Sequence, residues 1–118
     1  MKLTEMSESE ILTLVKPLAE HTENAWNLKD YKGFCHYLIE DNPEESFPEE
    51  EFNRQIEENY DTYGKHSIAD LVVIHRNPDH VIVIWKVNLE KRDEPGLLIY
   101  SFKEHNGQVF IEGCSYHA

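Results

Sequence analysis

The sequence predicts an α+β domain in which three N-terminal helices precede a four-stranded antiparallel sheet. Up to residue 64, apolar residues recur every three to four positions, as they do on the buried face of a helix. From residue 65 onward the pattern changes to that of strands, and short turn sequences separate four such runs. A chain of 118 residues is long enough for one core, so we expect a single domain spanning residues 1–118.

The charge of the chain argues against nucleic acid and anionic lipid as partners. The chain carries 11 basic and 23 acidic residues, a formal net charge of -12. Proteins that bind nucleic acid or anionic lipid need clustered Lys and Arg, so we expect neither partner. The N-terminus has no apolar core of signal-peptide length, and no apolar run is long enough to span a bilayer. We therefore expect a cytoplasmic protein whose cysteines, Cys35 and Cys114, are reduced and buried.

Two helices are predicted before residue 40. Ser7 to Glu10 fits a capping box, so the first helix is expected to begin at Ser7 or Ser9. Pro17 should kink this helix or confine its regular part to one side, because proline lacks an amide donor. Asp30 can cap a second, short helix over residues 31–39.

An acidic connector, residues 40–51, leads to the third helix. Residues 40–61 contain ten acidic residues and one arginine, a net charge of -9. This segment is interpreted as a solvated surface, with docking to a basic partner as the alternative. Ser46 to Glu49 forms a second capping-box sequence, and Gly64 is a natural helix terminator.

The four predicted strands cover residues 68–76, 80–90, 97–104 and 108–116. The second is the central one, because residues 80–88 are apolar on both faces around Trp85 and so must be covered on both sides. Asn106 and Gly107 accept the positive φ of a type I′ turn, which predicts a tight hairpin between the last two strands.

The short turns also predict which residues pair across the sheet. Two rows on the face of Trp85 end in the small residues Gly113 and Ser115, which leave room for a pocket. The register places Asp70 and Tyr100 in that pocket. The predicted pairs are Asn77 with His80, Leu89 with Leu98 and His105 with Gln108, and the row of interest is Asp70, Val87, Tyr100 and Gly113.

The opposite face of the sheet is too apolar to be left in contact with water. An exposed patch of this kind usually marks a partner surface, so we expect two copies of the chain to associate sheet to sheet. The residues predicted for this face are Leu71, Val73, Ile82, Ile84, Ile99, Phe110, Cys114 and Tyr116, mixed with the polar residues Lys86, Ser101, Lys103 and Glu112.

Residues 27–31 (Asn-Leu-Lys-Asp-Tyr) join the first two predicted helices. With this joint, the order of helices and strands resembles that of the nuclear transport factor two-like superfamily, also called ketosteroid isomerase-like or cystatin-like. The resemblance implies a cone: helices packed in the concave face of a curved sheet, a pocket at the open end, and frequent dimers. These families often have a small strand or hairpin between the second and third helices, and the acidic connector here has no strand pattern. They include isomerases, dehydratases, hydrolases and non-enzymatic binding domains, so the fold does not select a function.

Two interpretations of the pocket remain open. In an apolar pocket Asp70 could act as a general base while Tyr100 donates a hydrogen bond to a developing enolate; alternatively, Asp70 lies in solvent and Tyr100 in the core. The remaining candidates either line the pocket or simply fill the core. They are Trp26, Tyr60, Tyr63, Trp85, Val87, Leu98, Gly113 and Ser115.

No cofactor is expected, since the chain has no phosphate-binding glycine loop and no nucleophile signature. His36 and Glu40 share the spacing of metal ligands, but no companion histidine shows matching spacing, so no metal is expected either. The favoured function is a non-catalytic, dimeric domain that binds an apolar or aromatic small molecule or acts as an accessory interaction module. The alternative is a cofactor-independent isomerase, dehydratase or hydrolase that uses Asp70 and Tyr100.

Overall fold

Three helices precede a four-stranded antiparallel sheet in the computed structural model, which describes residues 2–39 and 47–118. The predicted fold class is therefore confirmed. The strands follow one another in the order β1-β2-β3-β4, as a meander. The elements are a short 3-10 helix (Leu3–Glu5), α1 (Glu8–Asn27), α2 (Tyr31–Cys35), α3 (Glu49–Tyr63), β1 (His66–Arg76), β2 (Val81–Leu89), β3 (Gly96–His105) and β4 (Gln108–His117).

The capping box at the start of α1 is confirmed. The Ser7 hydroxyl accepts from the Glu10 amide, and the Glu10 carboxylate accepts from the Ser7 amide, both at 3.1 Å. Pro17 lies inside α1 but does not end it. Proline removes a single amide donor, and the buried stripe of α1 continues past it to Trp26, so packing holds the helix together. None of the described helices is both long and apolar enough to cross a membrane.

The second helix is shorter than predicted. Asp30 caps it through the Gly33 amide at 3.1 Å, but the helix ends at Cys35 rather than at residue 39. The following residues bond to β4 instead: the Ile111 amide donates to the Tyr37 carbonyl at 2.7 Å, and the Ile39 amide donates to the Ile111 carbonyl at 3.0 Å. A single parallel bridge to the sheet thus replaces the last turn of the predicted helix.

The third helix begins after Pro48, which makes no side-chain cap, and Gly64 ends it at φ 75° as predicted. The predicted cap Ser46 lies outside the described residues, as does most of the acidic connector. A side chain at Gly64 would also meet Glu90, so both φ and space favour glycine there.

Irregular pairing bends the sheet. β1 has two register shifts against β2, one between Ile68 and Leu71 and one between Leu71 and Val73, and β4 has one where it faces Ser101 and Phe102. Each inserts an extra residue on one strand, which bends that strand and increases its twist. The sheet therefore curves around the helices.

Two of the three predicted pairings are correct. The Asn77 amide donates to the His80 carbonyl, and His105 pairs with Gln108 across a turn in which Asn106 and Gly107 have φ of 53° and 78°. The third is wrong, because Leu98 pairs with Trp85, four residues from Leu89. The connection after β2 is wider than a tight turn and leaves the end of β2 unpaired with β3. A shift of four preserves the faces, so Trp85 still points into the core.

The interior has two parts. The first, which we call the sheet core, packs the N-terminal half of α1 on the middle of the sheet, and its main members are Ile11, Val15, Val83, Trp85, Tyr100, Phe102 and Ile111. The second, the aromatic core, lies between the end of α1, α2 and α3. It consists of Ala25, Trp26, Phe34, Cys35 and Phe52.

The outer face of the sheet carries an apolar row that runs across the strands, beside a polar group of Ser101, Lys103 and Glu112. Val73 pairs with Ile84, and Ile84 pairs with Ile99. Val73 and Leu71 are 43% and 38% exposed, and Ile82, Ile84, Ile99 and Phe110 are half-buried. The residues predicted for a dimer face thus include an aligned row across three strands.

Candidate functional site

Cavities surround the aromatic core, where the sheet and the helices diverge. One, the inner cavity, has a volume of about 190 Å³, and a second, the front cavity, has about 220 Å³. They share Phe34, Gln55 and Cys114 in their walls. The inner cavity is also lined by Glu23, Trp26, His66, Leu98, Ser115 and Tyr116, and the front cavity by Leu38, Phe47, Glu112 and Gly113.

The last turns of α1 hold His66 in the wall of the inner cavity. Glu23, Trp26 and Asn27 are three and four residues apart, so they lie on one face of the helix. Asn27 clamps the backbone of His66, accepting from its amide and donating to its carbonyl, both at 2.8 Å. The Trp26 ring stacks on the imidazole, with centroids 5.4 Å apart at 22°. The imidazole is therefore fixed in position and orientation.

Glu23 is a buried carboxylate with a donor on each oxygen. It is 7% exposed, and Oε1 lies 2.7 Å from Nδ1 of His66. Oε2 accepts from the hydroxyl of Tyr100, a fully buried residue of β3. A carboxylate that loses water on burial must recover hydrogen bonds from the protein, and these two contacts supply them.

Tyr100 and Cys114 are kept protonated. Burial, followed by the neighbouring Glu23 charge, raises the pKa of Tyr100 well above its usual value. The thiol of Cys114 contacts the Tyr100 hydroxyl, and burial raises the pKa of Cys114 to about 12. At neutral pH both groups are uncharged, and Tyr100 acts as a hydrogen-bond donor rather than a base.

Two hydrogen-bonding groups of the inner cavity wall have no hydrogen-bond partner within residues 2–39 and 47–118. Trp26 is 3% exposed, and its Nε1 has no hydrogen-bond partner among the residues that the structure describes. The same holds for the hydroxyl of Tyr116, whose pKa burial raises to about 12. An unsatisfied buried donor costs about 1–3 kcal/mol, so such groups call for an explanation. Both belong to side chains that line the inner cavity.

The predicted catalytic pair is not brought together as expected. Asp70 is exposed on the irregular stretch of β1, and Ile68 rather than Asp70 pairs with Val87. Tyr100 pairs with Val83 and Cys114. The predicted row is therefore wrong, because bulges in β1 and the wider β2–β3 connection shift its members. The carboxylate in contact with Tyr100 is Glu23 of α1.

The predicted pocket residues divide into three groups. Trp26, Leu98, Gly113 and Ser115 line the cavities, although Gly113 and Ser115 pair with Ser101 and Ile99 in outer-face rows, contrary to the predicted register. Trp85 and Val87 are buried in the sheet core. The phenol of Tyr60 donates to the Asn27 carbonyl at 2.8 Å, while the ring of Tyr63 packs edge-on against Tyr116.

Glu23 and His66 were not predicted as site residues, and the prediction of Cys114 and Tyr116 on the outer face is wrong, because they pair with the buried Tyr100 and Leu98 and line the inner cavity. The sequence signals of Glu23 and His66 are weak, because the two residues are 43 positions apart and each resembles an ordinary surface residue. The helical spacing of Glu23 to Trp26 and Asn27 is the one pattern that could have pointed to the site. His36 contacts His21 and Tyr37, and the described residues include no group of three metal-ligating side chains. Glu40 lies outside the described residues.

Comparison with known proteins identifies the fold. No family model and no curated protein matches the chain. Among solved structures, a designed NTF2-like protein, Rd1NTF2_05, is similar with a TM-score of 0.61 and 16% identity, over 91% of this chain and 98% of that one. Bd1075 of Bdellovibrio bacteriovorus has a TM-score of 0.53 and 14% identity, over 95% of this chain and 43% of that one. The chain therefore has a nuclear transport factor two-like fold.

Proposed function

We propose that this protein binds a small, uncharged, mainly apolar molecule in the inner cavity. The main support is Trp26 Nε1, a buried donor without a partner among the described residues, on a side chain that lines the cavity. Ligand pockets are typically apolar and carry a few fixed polar groups, and this cavity combines aromatic walls with the ordered Glu23–His66 pair. A ligand that supplies an acceptor would satisfy the orphaned donor.

Electrostatics argue for a neutral ligand. The described lining of the inner and front cavities includes carboxylates but neither Lys nor Arg, and the chain has a net charge of -12. An anion would have to leave water without gaining an opposite charge, which is strongly unfavourable. A cation would need the faces of the aromatic rings, and one face of Trp26 is already covered by His66.

Binding without catalysis is favoured by the state of Glu23. A general base needs a lone pair directed at the substrate proton. Both oxygens of Glu23 already accept, from Tyr100 and from His66. The carboxylate thus stabilises the wall of the cavity, and its removal would disturb the fold as much as the site.

Tryptophan fluorescence tests the proposal. A library of neutral aromatic compounds is screened for quenching or shift of the emission, and the affinity of each hit is then measured by calorimetry for the wild type and for Trp26→Phe, which keeps a ring but lacks Nε1. We expect hits whose affinity falls about tenfold in this variant, the value of one lost hydrogen bond. Trp85→Phe, in the sheet core, is the matched control and should leave affinity unchanged. Hits with equal affinity for Trp26→Phe would overturn the assignment to this cavity.

A second candidate function, cofactor-independent acid–base catalysis, is favoured by the buried Glu23–His66 pair beside the cavity. Buried carboxylate–imidazole pairs in clefts are typical of proton-transfer sites. The test is hydrogen–deuterium exchange at the α-carbons of a simple cyclic enone. NMR monitors the exchange rate in the presence of the wild type and of Glu23→Gln. Exchange no faster with the wild type than with the variant would exclude this function for that class of substrate.

We further propose that two copies associate through the outer sheet face. The aligned row of Val73, Ile84 and Ile99 supports this, because apolar side chains of this extent gain by leaving water. In sedimentation velocity, the wild type should be a dimer and Ile84→Lys a monomer. Leu14→Lys, at an exposed position of α1, serves as the control and should remain a dimer. A monomeric wild type at high concentration would contradict the proposal.

A further inference from the structure

The hydrogen bonds of Glu23 determine which nitrogen of His66 is free. Glu23 accepts from Tyr100 through one oxygen, and its other oxygen lies 2.7 Å from Nδ1 of His66. A carboxylate cannot donate, so in the neutral form of the imidazole the proton is on Nδ1. Nε2 is then a hydrogen-bond acceptor. It has no hydrogen-bond partner among the described residues, and His66 lines the inner cavity.

Two residues that line the inner cavity therefore carry a free acceptor and a free donor. The acceptor is Nε2 of His66, and the donor is Nε1 of Trp26. The two rings are stacked with centroids 5.4 Å apart, and both are less than a tenth exposed. Their orientation is set by the Asn27 clamp and by Glu23, so a ligand meets a rigid pair. Preorganised polar groups of this kind decide which ligand binds.

We infer that the ligand is a flat, neutral molecule with a hydrogen-bond acceptor and a hydrogen-bond donor on neighbouring atoms, as in a cyclic aromatic amide. Its carbonyl accepts from Trp26 Nε1, and its N–H donates to His66 Nε2. The inference rests on the proposed binding function and adds the chemical class of the ligand. Glu23 acts as a positioning residue, since it fixes the tautomer of His66 without contacting the ligand.

The shape and polarity of the cavity agree with this class. Phe34, Leu98 and Tyr116 supply apolar walls for a flat ring, and the Tyr116 hydroxyl offers a further donor. A ligand with an acceptor alone would leave Nε2 unsatisfied, while a ligand with a donor alone would leave Nε1 unsatisfied. Each unsatisfied group weakens binding, so discrimination against analogues that lack one group should be strong.

Calorimetry with two closely matched probes tests the inference. The probes are 2-quinolinone, which has adjacent N–H and C=O groups, and N-methyl-2-quinolinone, which keeps the ring and the carbonyl but has lost the donor. We expect the wild type to bind 2-quinolinone at least about tenfold more tightly. His66→Asn should reduce this preference to about twofold or less, because asparagine can still donate to Glu23 but has no equivalent of Nε2. His75→Asn, an exposed position on the same strand, should retain the full preference.

An NMR measurement on the wild type tests the inference without the use of variants. The ¹⁵N resonance of His66 Nε2 should shift when 2-quinolinone is added and should not shift with the N-methyl analogue. Equal affinities for the two probes, or a preference that survives in folded His66→Asn, would overturn the inference while leaving the binding function intact. If neither probe binds, the inference also fails, and the proposed function is judged separately by the fluorescence screen.

Discussion

The sheet core and the aromatic core are built from similar residues but differ in how completely they are filled. In the sheet core, Val83, Tyr100 and Phe102 are fully buried, and the Tyr100 hydroxyl has an acceptor in Glu23. In the aromatic core, Trp26 and Phe34 border cavities, and Trp26 Nε1 has no described partner. The first region serves stability, and the second leaves room for a ligand.

Matched phenylalanine truncations should separate the two regions most strongly. Phe102→Ala in the sheet core should cost roughly 3–5 kcal/mol of unfolding free energy, because it opens a cavity in close-packed surroundings. Phe34→Ala should cost less, since Phe34 already borders two cavities. Urea unfolding of both variants gives the comparison. Equal losses would show that the aromatic core is as tightly packed as the sheet core.

The boundary between the two regions is the Glu23–Tyr100 contact. Glu23→Ala should destabilise the fold by roughly 1–3 kcal/mol, because it leaves Tyr100 and His66 without their acceptor. Tyr100→Phe alone should cost less, and the double variant should be less destabilised than the sum of the two, as expected for groups in contact. Strictly additive losses in urea unfolding would mean that the contact contributes nothing.

The next largest effect is expected at alkaline pH, which should lower the unfolding free energy through groups at the boundary between the two cores. The pKa of Cys114 is raised from 9.0 to about 12, so above pH 9 the unfolded chain releases a proton that the folded chain retains. The stability that this group contributes is complete below pH 9 and is lost as pH rises toward 12. The loss of unfolding free energy is about 1 kcal/mol by pH 10. Because Cys35 is also shifted upward, the comparison uses Cys35→Ser as the parent. Adding Cys114→Ser should flatten the pH dependence of the urea midpoint between pH 8 and 10; an unchanged slope would contradict the assignment.

The smallest effect is expected at Gly113, beside the front cavity. A side-chain carbon built there meets nothing within 4 Å, and its φ is not positive. Gly113→Ala should therefore change unfolding free energy by less than about 1 kcal/mol and is expected to stabilise the fold slightly. Ligand affinity should not change, since Gly113 lies in an outer-face row. A clear loss of affinity would place this residue in the binding surface.

Local patterns predicted the elements well because each depends on neighbours in sequence. The capping box at Ser7, the Asn106-Gly107 turn and the Gly64 terminator all appear as expected. The register of β2 against β3 failed, because the wide connection after Leu89 gives no fixed count, and bulges in β1 carry no sequence mark. The positions of the site residues depend on both the β2–β3 register and the bulges in β1.

The candidate site was therefore predicted only in part. Trp26 and Tyr100 were named from their aromatic character, and both belong to the site. Glu23 and His66 were missed, because their meaning comes from a contact between a helix and a strand that are far apart in sequence. A register error also directed attention to Asp70, an exposed carboxylate, in place of the buried one.

The residues that follow α2 form a short bridge with β4, and this bridge affects whether another chain can add a strand at that edge of the sheet. An uncovered edge strand offers free amides and carbonyls on which another chain can add a strand, and this is a common start of aggregation. At Ile111 both backbone groups on that side are taken by Tyr37 and Ile39. At the opposite edge the bulges of β1 interrupt a regular template. Strand addition is therefore blocked at Ile111 on one margin of the sheet and is interrupted by the bulges on the other.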